Sequence, residues 1–149
     1  MKPTPAGWPR LSQCVYYEDP RAAIDWLGEA FGFEVRLLIE GDGGSIEHSE
    51  LTFGEGLIMV GGVGRTDAGK EAWQRTQKSP RQLGGANTQS VCIFVDDADA
   101  HCERARRAGA TIVREPTTND YGDDYWADRS YGALDPEGHL WWFMERVRG

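Results

Sequence analysis

A chain of 149 residues with 40% hydrophobic and 11% aromatic side chains has one domain's length and is too apolar to be disordered. No run approaches 18 consecutive apolar residues, and Met1-Lys2-Pro3-Thr4-Pro5-Ala6-Gly7 has no apolar stretch, so neither a membrane span nor an export signal is expected. A net charge of −8 disfavours nucleic acid as a partner, since the phosphates would be repelled.

Residues 11–17 are rich in β-formers and read as a strand. Asp19-Pro20 then supplies an N-cap followed by proline at the first helical position, with Ile24, Leu27 and Phe31 at helical spacing and Gly32 as the stop. Glu34 to Ile39 reads as a second strand, closed by Gly41-Asp42-Gly43-Gly44. A hairpin follows from Ile46 to Phe53 and Leu57 to Val60, turning at Gly54-Glu55-Gly56. Residues 61–88 lose periodicity and read as a linker with one helical turn.

The first pattern then returns. Residues 90–95 form a strand, and Asp97 caps a helix whose inner face carries Ala98, Cys102 and Ala105 and which stops at Gly109. Thr111 to Arg114 is a strand and Pro116 to Asp124 a loop. Tyr125 to Leu134 and His139 to Arg146 make a second hairpin about Asp135-Pro136-Glu137-Gly138. Ser12, Cys14 and Asp19 recur as Ser90, Cys92 and Asp97 at one offset (90 − 12 = 92 − 14 = 97 − 19 = 78), and Glu55-Gly56 recurs as Glu137-Gly138. Order, cap and turn chemistry agree, which marks an internal repeat. The expectation is a single α+β domain over 1–149, with βαβββ modules at 11–60 and 89–146.

Three cysteines, Cys14, Cys92 and Cys102, are odd in number and form no C-x-x-C pair. That argues against a disulfide framework or zinc knuckle and for the cytoplasm. Cys14 and Cys92 lack a neighbouring base and read as buried, inert thiols. Asp120, Asp123, Asp124 and Asp128 form an acidic cluster read as one loop, beside Tyr121, Tyr125, Trp126 and Tyr131; aromatic faces next to carboxylates suit planar or cationic organic ligands.

The run Tyr17-Glu18-Asp19-Pro20-Arg21-Ala22-Ala23-Ile24-Asp25-Trp26-Leu27 with Phe31-Gly32-Phe33 carries a family resemblance, as do Val95-Asp96-Asp97-Ala98-Asp99-Ala100-His101 with Ala108-Gly109-Ala110. So do Ser79-Pro80-Arg81-Gln82-Leu83-Gly84-Gly85 and Asp135-Pro136-Glu137-Gly138-His139-Leu140-Trp141-Trp142-Phe143. The chain resembles the vicinal oxygen chelate superfamily of glyoxalases, bleomycin-resistance proteins and extradiol dioxygenases, and its glyoxalase/bleomycin-resistance-like branch in particular. The resemblance implies curved sheets around a cavity and a homodimer, which the long linker would let form by module exchange. It also implies that metal-dependent members hold one divalent ion with a residue from the first and last strand of each repeat. Those positions fall here on Ser12, Met59 (or Val60), Ser90 and Trp142, none of them a carboxylate or imidazole, so no metal and no other cofactor is expected.

Strand alternation puts Ser12, Cys14 and Tyr16 on one face, matched by Ser90, Cys92 and Phe94, and by the resemblance this face is the concave one. With Met59, Trp126 and Trp142 these residues are the candidate ligand contacts. His48 and Glu50 share a face opposite Leu51 and Phe53, toward either cavity or water; toward the cavity they would form an acid/base pair. His101 is set aside as exposed, and His139 reads as a turn residue. The leading expectation is a metal-free binding protein for a small aromatic or cationic, antibiotic-like ligand. The alternatives are a metal-independent isomerase or lyase using His48 and Glu50, or a metal-dependent glyoxalase or dioxygenase with non-standard ligands.

Overall fold

The computed structural model describes all residues, Met1–Gly149. The chain divides into two compact units, Met1–Ser79 and Pro80–Gly149. The first holds β1 (Gln13–Tyr17), α1 (Pro20–Phe31), β2 (Glu34–Glu40), β3 (Ile46–Phe53) and β4 (Gly56–Gly62). The second holds β5 (Val91–Phe94), α2 (Ala98–Arg107), β6 (Thr111–Asp120), β7 (Ala127–Leu134) and β8 (Leu140–Arg148). Strand order is β1-β4-β3-β2 in one sheet and β5-β8-β7-β6 in the other, so the repeat read from the sequence is a repeat of topology, and each sheet is open.

The helices start and stop where the local chemistry requires. The Asp19 side chain accepts from Ala22 N at 3.0 Å and Asp97 from Ala100 N at 2.9 Å, each cap contributing about 1 kcal/mol. Gly32, at φ 87°, closes α1 in the left-handed region that favours glycine. One face of each helix then covers its sheet. Leu27, Ala30 and Phe31 of α1 are fully buried, as are Ala98, Cys102 and Ala105 of α2. Beneath α1 lie Val15, Tyr17, Leu51 and Val60; beneath α2 lie Tyr131, Ala133, Trp141 and Phe143. Each large side chain buried here contributes about 1.5–3 kcal/mol.

Sequence expectations about β6 and α2 need correction. The segment Pro116–Asp120 is not loop: β6 continues through it, with register irregularities on both sides of Arg114. β6 is an edge strand, where proline removes no necessary ladder bond, so Pro116 is tolerated. His101 is not a bystander on an exposed helix. Its Nδ1 lies 2.6 Å from the Tyr131 hydroxyl and its ring 4.3 Å from that of Phe143, fastening α2 to the sheet. Helical periodicity says which residues face inward but not that a polar one has a buried hydroxyl to meet.

The expected linker carries two short 3-10 turns rather than one, Gln74–Thr76 and Pro80–Leu83. Its first part returns to its own unit: Val63 N donates to Tyr17 O at 2.8 Å and Gln77 Nε2 to the Tyr16 hydroxyl at 2.8 Å. Its last part braces the β7–β8 turn, Asn87 bonding Gly138 O and Leu140 N and Arg81 bonding Pro136 O. At the head of that turn, buried Asp135 accepts from Glu137 N, His139 N and Trp141 Nε1 at 3.0, 3.0 and 3.1 Å.

Candidate functional site

In each unit the helix covers one sheet face; the opposite face is open in the second unit, at Cys92 and Phe94, and is partly covered in the first. Paired residues point to the same side, so register assigns the faces. In the first unit β1–β4 pairing puts Cys14 beside Met59 and Tyr16 beside Gly61, while β2–β3 pairing puts Glu50 beside Leu37 and His48 beside Ile39. All lie opposite the buried Val15, Tyr17 and Val60. The last-strand position left open between two residues is therefore Met59, since Val60 faces the helix and its backbone is bonded by Ser49 Oγ. Ser12 precedes β1 and is half-buried.

The two residues singled out for acid/base chemistry meet: His48 Nε2 lies 3.0 Å from Glu50 Oε1. Glu50 is 5% exposed, and its other oxygen stands 3.4 Å from Arg36 Nε. Arg36 itself was not foreseen. It sits at the irregularity between Val35 and Leu37, which turns its side chain toward Glu50 and toward the chain's start. There it donates to Gly7 O and lies 5.7 Å from the Trp8 ring. Both carboxylate oxygens of Glu50 are thus engaged, one by the His48 ring and the other by Arg36. Burial, with Cys14 beside it, pushes the Tyr16 phenol above its ordinary pKa.

In the second unit the same logic gathers Cys92, Trp142, Gly132 and Arg114 in one cross-strand row, and Phe94, Met144, Ser130 and Thr117 in the next. Further along come Arg146, Asp128 and Asn119. This face is opposite Trp141, Phe143, Tyr131 and Ala133, all fully buried. Adjacent tryptophans thus part as alternation requires, Trp141 inward and Trp142 onto the open face.

The open face is aromatic. Phe94 is 55% exposed, Trp126 40% and Tyr121 54%. Tyr121 lies 5.6 Å and Tyr125 6.1 Å from Trp126, ring to ring. Between them stands a residue the sequence reading passed over. The Arg146 guanidinium carbon lies 5.2 Å over the Trp126 ring and 5.4 Å over that of Phe94, while Nε donates to Asp128 Oδ1 at 2.5 Å.

That pair corrects the acidic cluster. Asp128 is not a loop residue: it lies in β7, is 6% exposed, and is matched by Arg146. Asp120 ends β6, and the N–H of Gly122, with Arg148 beside it, holds its carboxyl below the usual range. Sequence proximity suggested one acidic lobe; strand pairing brought two of its four members arginine partners from β8. Cys92 is likewise exposed, not buried, because edge strand β5 turns it away from the helix; Cys14 is half-buried, and only Cys102 is enclosed. Ser90 is exposed just before β5.

The donor set at the inherited metal positions comprises two hydroxyls (Ser12, Ser90), a thioether (Met59) and an indole (Trp142). It does not fit a hard divalent ion. Nowhere do three or more His, Cys, Asp or Glu side chains gather as a metal site.

Comparison with known proteins places the fold. A solved structure, TioX from Micromonospora sp. ML1, is 31% identical, with TM-score 0.68, covering 94% of this chain and 100% of that one. The protein Mb0911c of Mycobacterium bovis is 30% identical over 141 residues, covering 94% of this chain and 85% of its own. TnmS3 from Streptomyces sp. CB03234, described as an antibiotic binding protein, shares the fold at 17% identity and TM-score 0.60, covering 91% of this chain and 93% of that one. The Glyoxalase/Bleomycin resistance protein/Dioxygenase superfamily matches residues 10–143. With that match over both repeats and the same strand order in each of their sheets, this chain belongs to the glyoxalase/bleomycin resistance protein/dioxygenase superfamily.

Proposed function

We propose that this protein binds a small, flat aromatic molecule, without a metal, on the open face of its second sheet. The observation that carries the reading is the group Phe94, Trp126 and Arg146: two exposed rings turned toward one guanidinium fixed by a buried carboxylate. Exposed aromatics gathered on one face mark interaction surfaces, and each stacking contact contributes about 0.5–1.5 kcal/mol beyond the area it buries. Trp142 extends the surface. The fold also serves TnmS3, an antibiotic binding protein, which supports an antibiotic-like ligand. The arginine partners of Asp120 and Asp128 favour the aromatic over the cationic form of the reading.

The test is a thermal-shift and tryptophan-fluorescence screen with planar aromatic compounds, followed by product analysis of every hit. A ligand at a hundred times its Kd should stabilise the fold by about 2.7 kcal/mol. Trp126→Ala and Phe94→Ala should each weaken binding about tenfold or more, with the ligand recovered unchanged. If no planar aromatic shifts the transition at millimolar concentration, the reading fails.

The His48–Glu50 contact at 3.0 Å supports a second reading, a metal-independent isomerase or lyase. A ligand recovered altered, with turnover lost in His48→Ala while binding survives, would establish it. The same proposal includes a homodimer, supported by Val35, Leu37 and Ile39, which are 52, 41 and 43% exposed on edge strand β2; light scattering at micromolar concentration decides it. The odd, unpaired cysteines favour a cytoplasmic setting, and no helix is long and apolar enough to cross a membrane.

A further inference from the structure

We infer that the ligand of the second sheet's open face carries an anionic group on its aromatic framework, a carboxylate or ionised phenol, read by Arg146 with help from Arg114. The inference rests on the aromatic-face reading above and narrows it to aromatic acids.

The local charge runs against the whole. The chain is −8 overall, yet the strand positions of this face hold Arg114 and Arg146 against a single carboxylate, Asp128. Arg148, next on β8, is matched by Asp120. Asp123 and Asp124 belong to the turn between β6 and β7, not to the sheet. Arg114 donates to the neutral amide oxygen of Asn119 at 2.8 Å and so keeps its charge uncompensated by that bond.

Arg146 is also built for the task. Asp128 takes the Nε–H, which leaves the fork of Nη1 and Nη2 to meet another acceptor. The side chain is 42% exposed, so the fork is reachable. Phe94, Trp126 and Asp128 fix the guanidinium before any ligand arrives, so little rotamer freedom remains to be lost. A planar ring laid against Trp126 or Phe94 would bring an attached carboxylate level with that fork, where a paired, charge-assisted contact is the strongest available. A cationic ring would instead meet two guanidinium groups and one carboxylate already in use.

The test uses three probes of one shape, 2-naphthoate, 2-naphthamide and 2-naphthylmethylamine, titrated against the full chain by fluorescence and calorimetry. Naphthoate is expected to bind at least tenfold tighter than the amide, and the amine weakest. Arg146→Gln leaves Asp128 buried and unpaired, so the double variant Arg146→Gln/Asp128→Asn serves as a matched-charge control. It should fold and lose the preference for the acid, read as the ratio of acid to amide affinity within that variant. Three probes of equal affinity, a preference for the amine, or a double variant that still favours the acid would each overturn the inference while leaving the aromatic face standing. If none of the three binds, the aromatic-face reading falls and this inference falls with it.

Discussion

The six-membered ring of Trp142 rests on the α-carbon of Gly132: a methyl group placed there would lie 2.8 Å from Trp142 Cζ3 and 3.0 Å from Cη2. The two residues are partners in the β7–β8 ladder, so the indole lies across its neighbour strand because that strand has no side chain at this point. Gly132→Ala must therefore push the indole off its seat. The expected result is a loss of about 1–3 kcal/mol in stability, read from the urea midpoint, and weaker binding of planar aromatics, with fluorescence reporting a more solvated tryptophan.

Asp135 joins three donors, Glu137 N, His139 N and Trp141 Nε1, in a turn where it is 5% exposed. Asp135→Ala leaves all three without that acceptor at the head of the β7–β8 hairpin. A loss of about 3 kcal/mol is expected, with Asp135→Asn costing less because one oxygen survives. Equal urea midpoints for wild type and alanine variant would contradict this account.

Alkali should act through Tyr131. The side chain is fully buried, and burial raises its phenol pKa above the ordinary value of about 10. The folded value lies above the unfolded one, so this contribution to stability is present below about pH 10 and is lost as pH rises beyond it. Absorbance at 295 nm should show one tyrosine ionising only with loss of circular dichroism. In Tyr131→Phe that step should vanish and the alkaline transition move to higher pH, despite the lost bond to His101.

Chelation offers a fourth check. With hydroxyl, thioether and indole at the inherited positions, dialysis against EDTA should leave both Tm and ligand affinity unchanged. A stoichiometric divalent ion that survives dialysis, or a Tm lowered by several degrees on its removal, would reverse the assignment.

Local chemistry was legible in the sequence because caps and turns are decided by residues a few positions apart: Asp19 and Asp97, Gly32, and the hairpin at Asp135–Gly138. Alternation was legible too: it set Cys92 and Phe94 on the face opposite the helix, where the structure places them beside Trp142 and Met144. Contacts made across the sheets were harder to read. Asp128 and Arg146 are 18 residues apart, and His101 and Tyr131 are 30. The first pair could have been found, since counting back from the hairpin turn sets Leu134 against Leu140 and then, step by step, Asp128 against Arg146. Arg36 could not, because its direction follows from an irregularity in β2 that no side chain there announces.

The parallel partnership of β1 with β4 has a consequence for how the chain acquires its structure. Gln13 pairs with Ile58, so the first strand of the module is completed by its last, whereas β3 and β4 meet across a tight turn. Local hairpins can form early; closing β1 onto them fixes a long loop at a single step and sets the pace. A ribosome delivering this chain in sequence order must hold Gln13–Tyr17 unpaired until Gly56–Gly62 has emerged, and then repeat the wait for Val91–Phe94 until Leu140–Arg148 appears. Truncations inside β8 should therefore release not one strand of the second sheet but two.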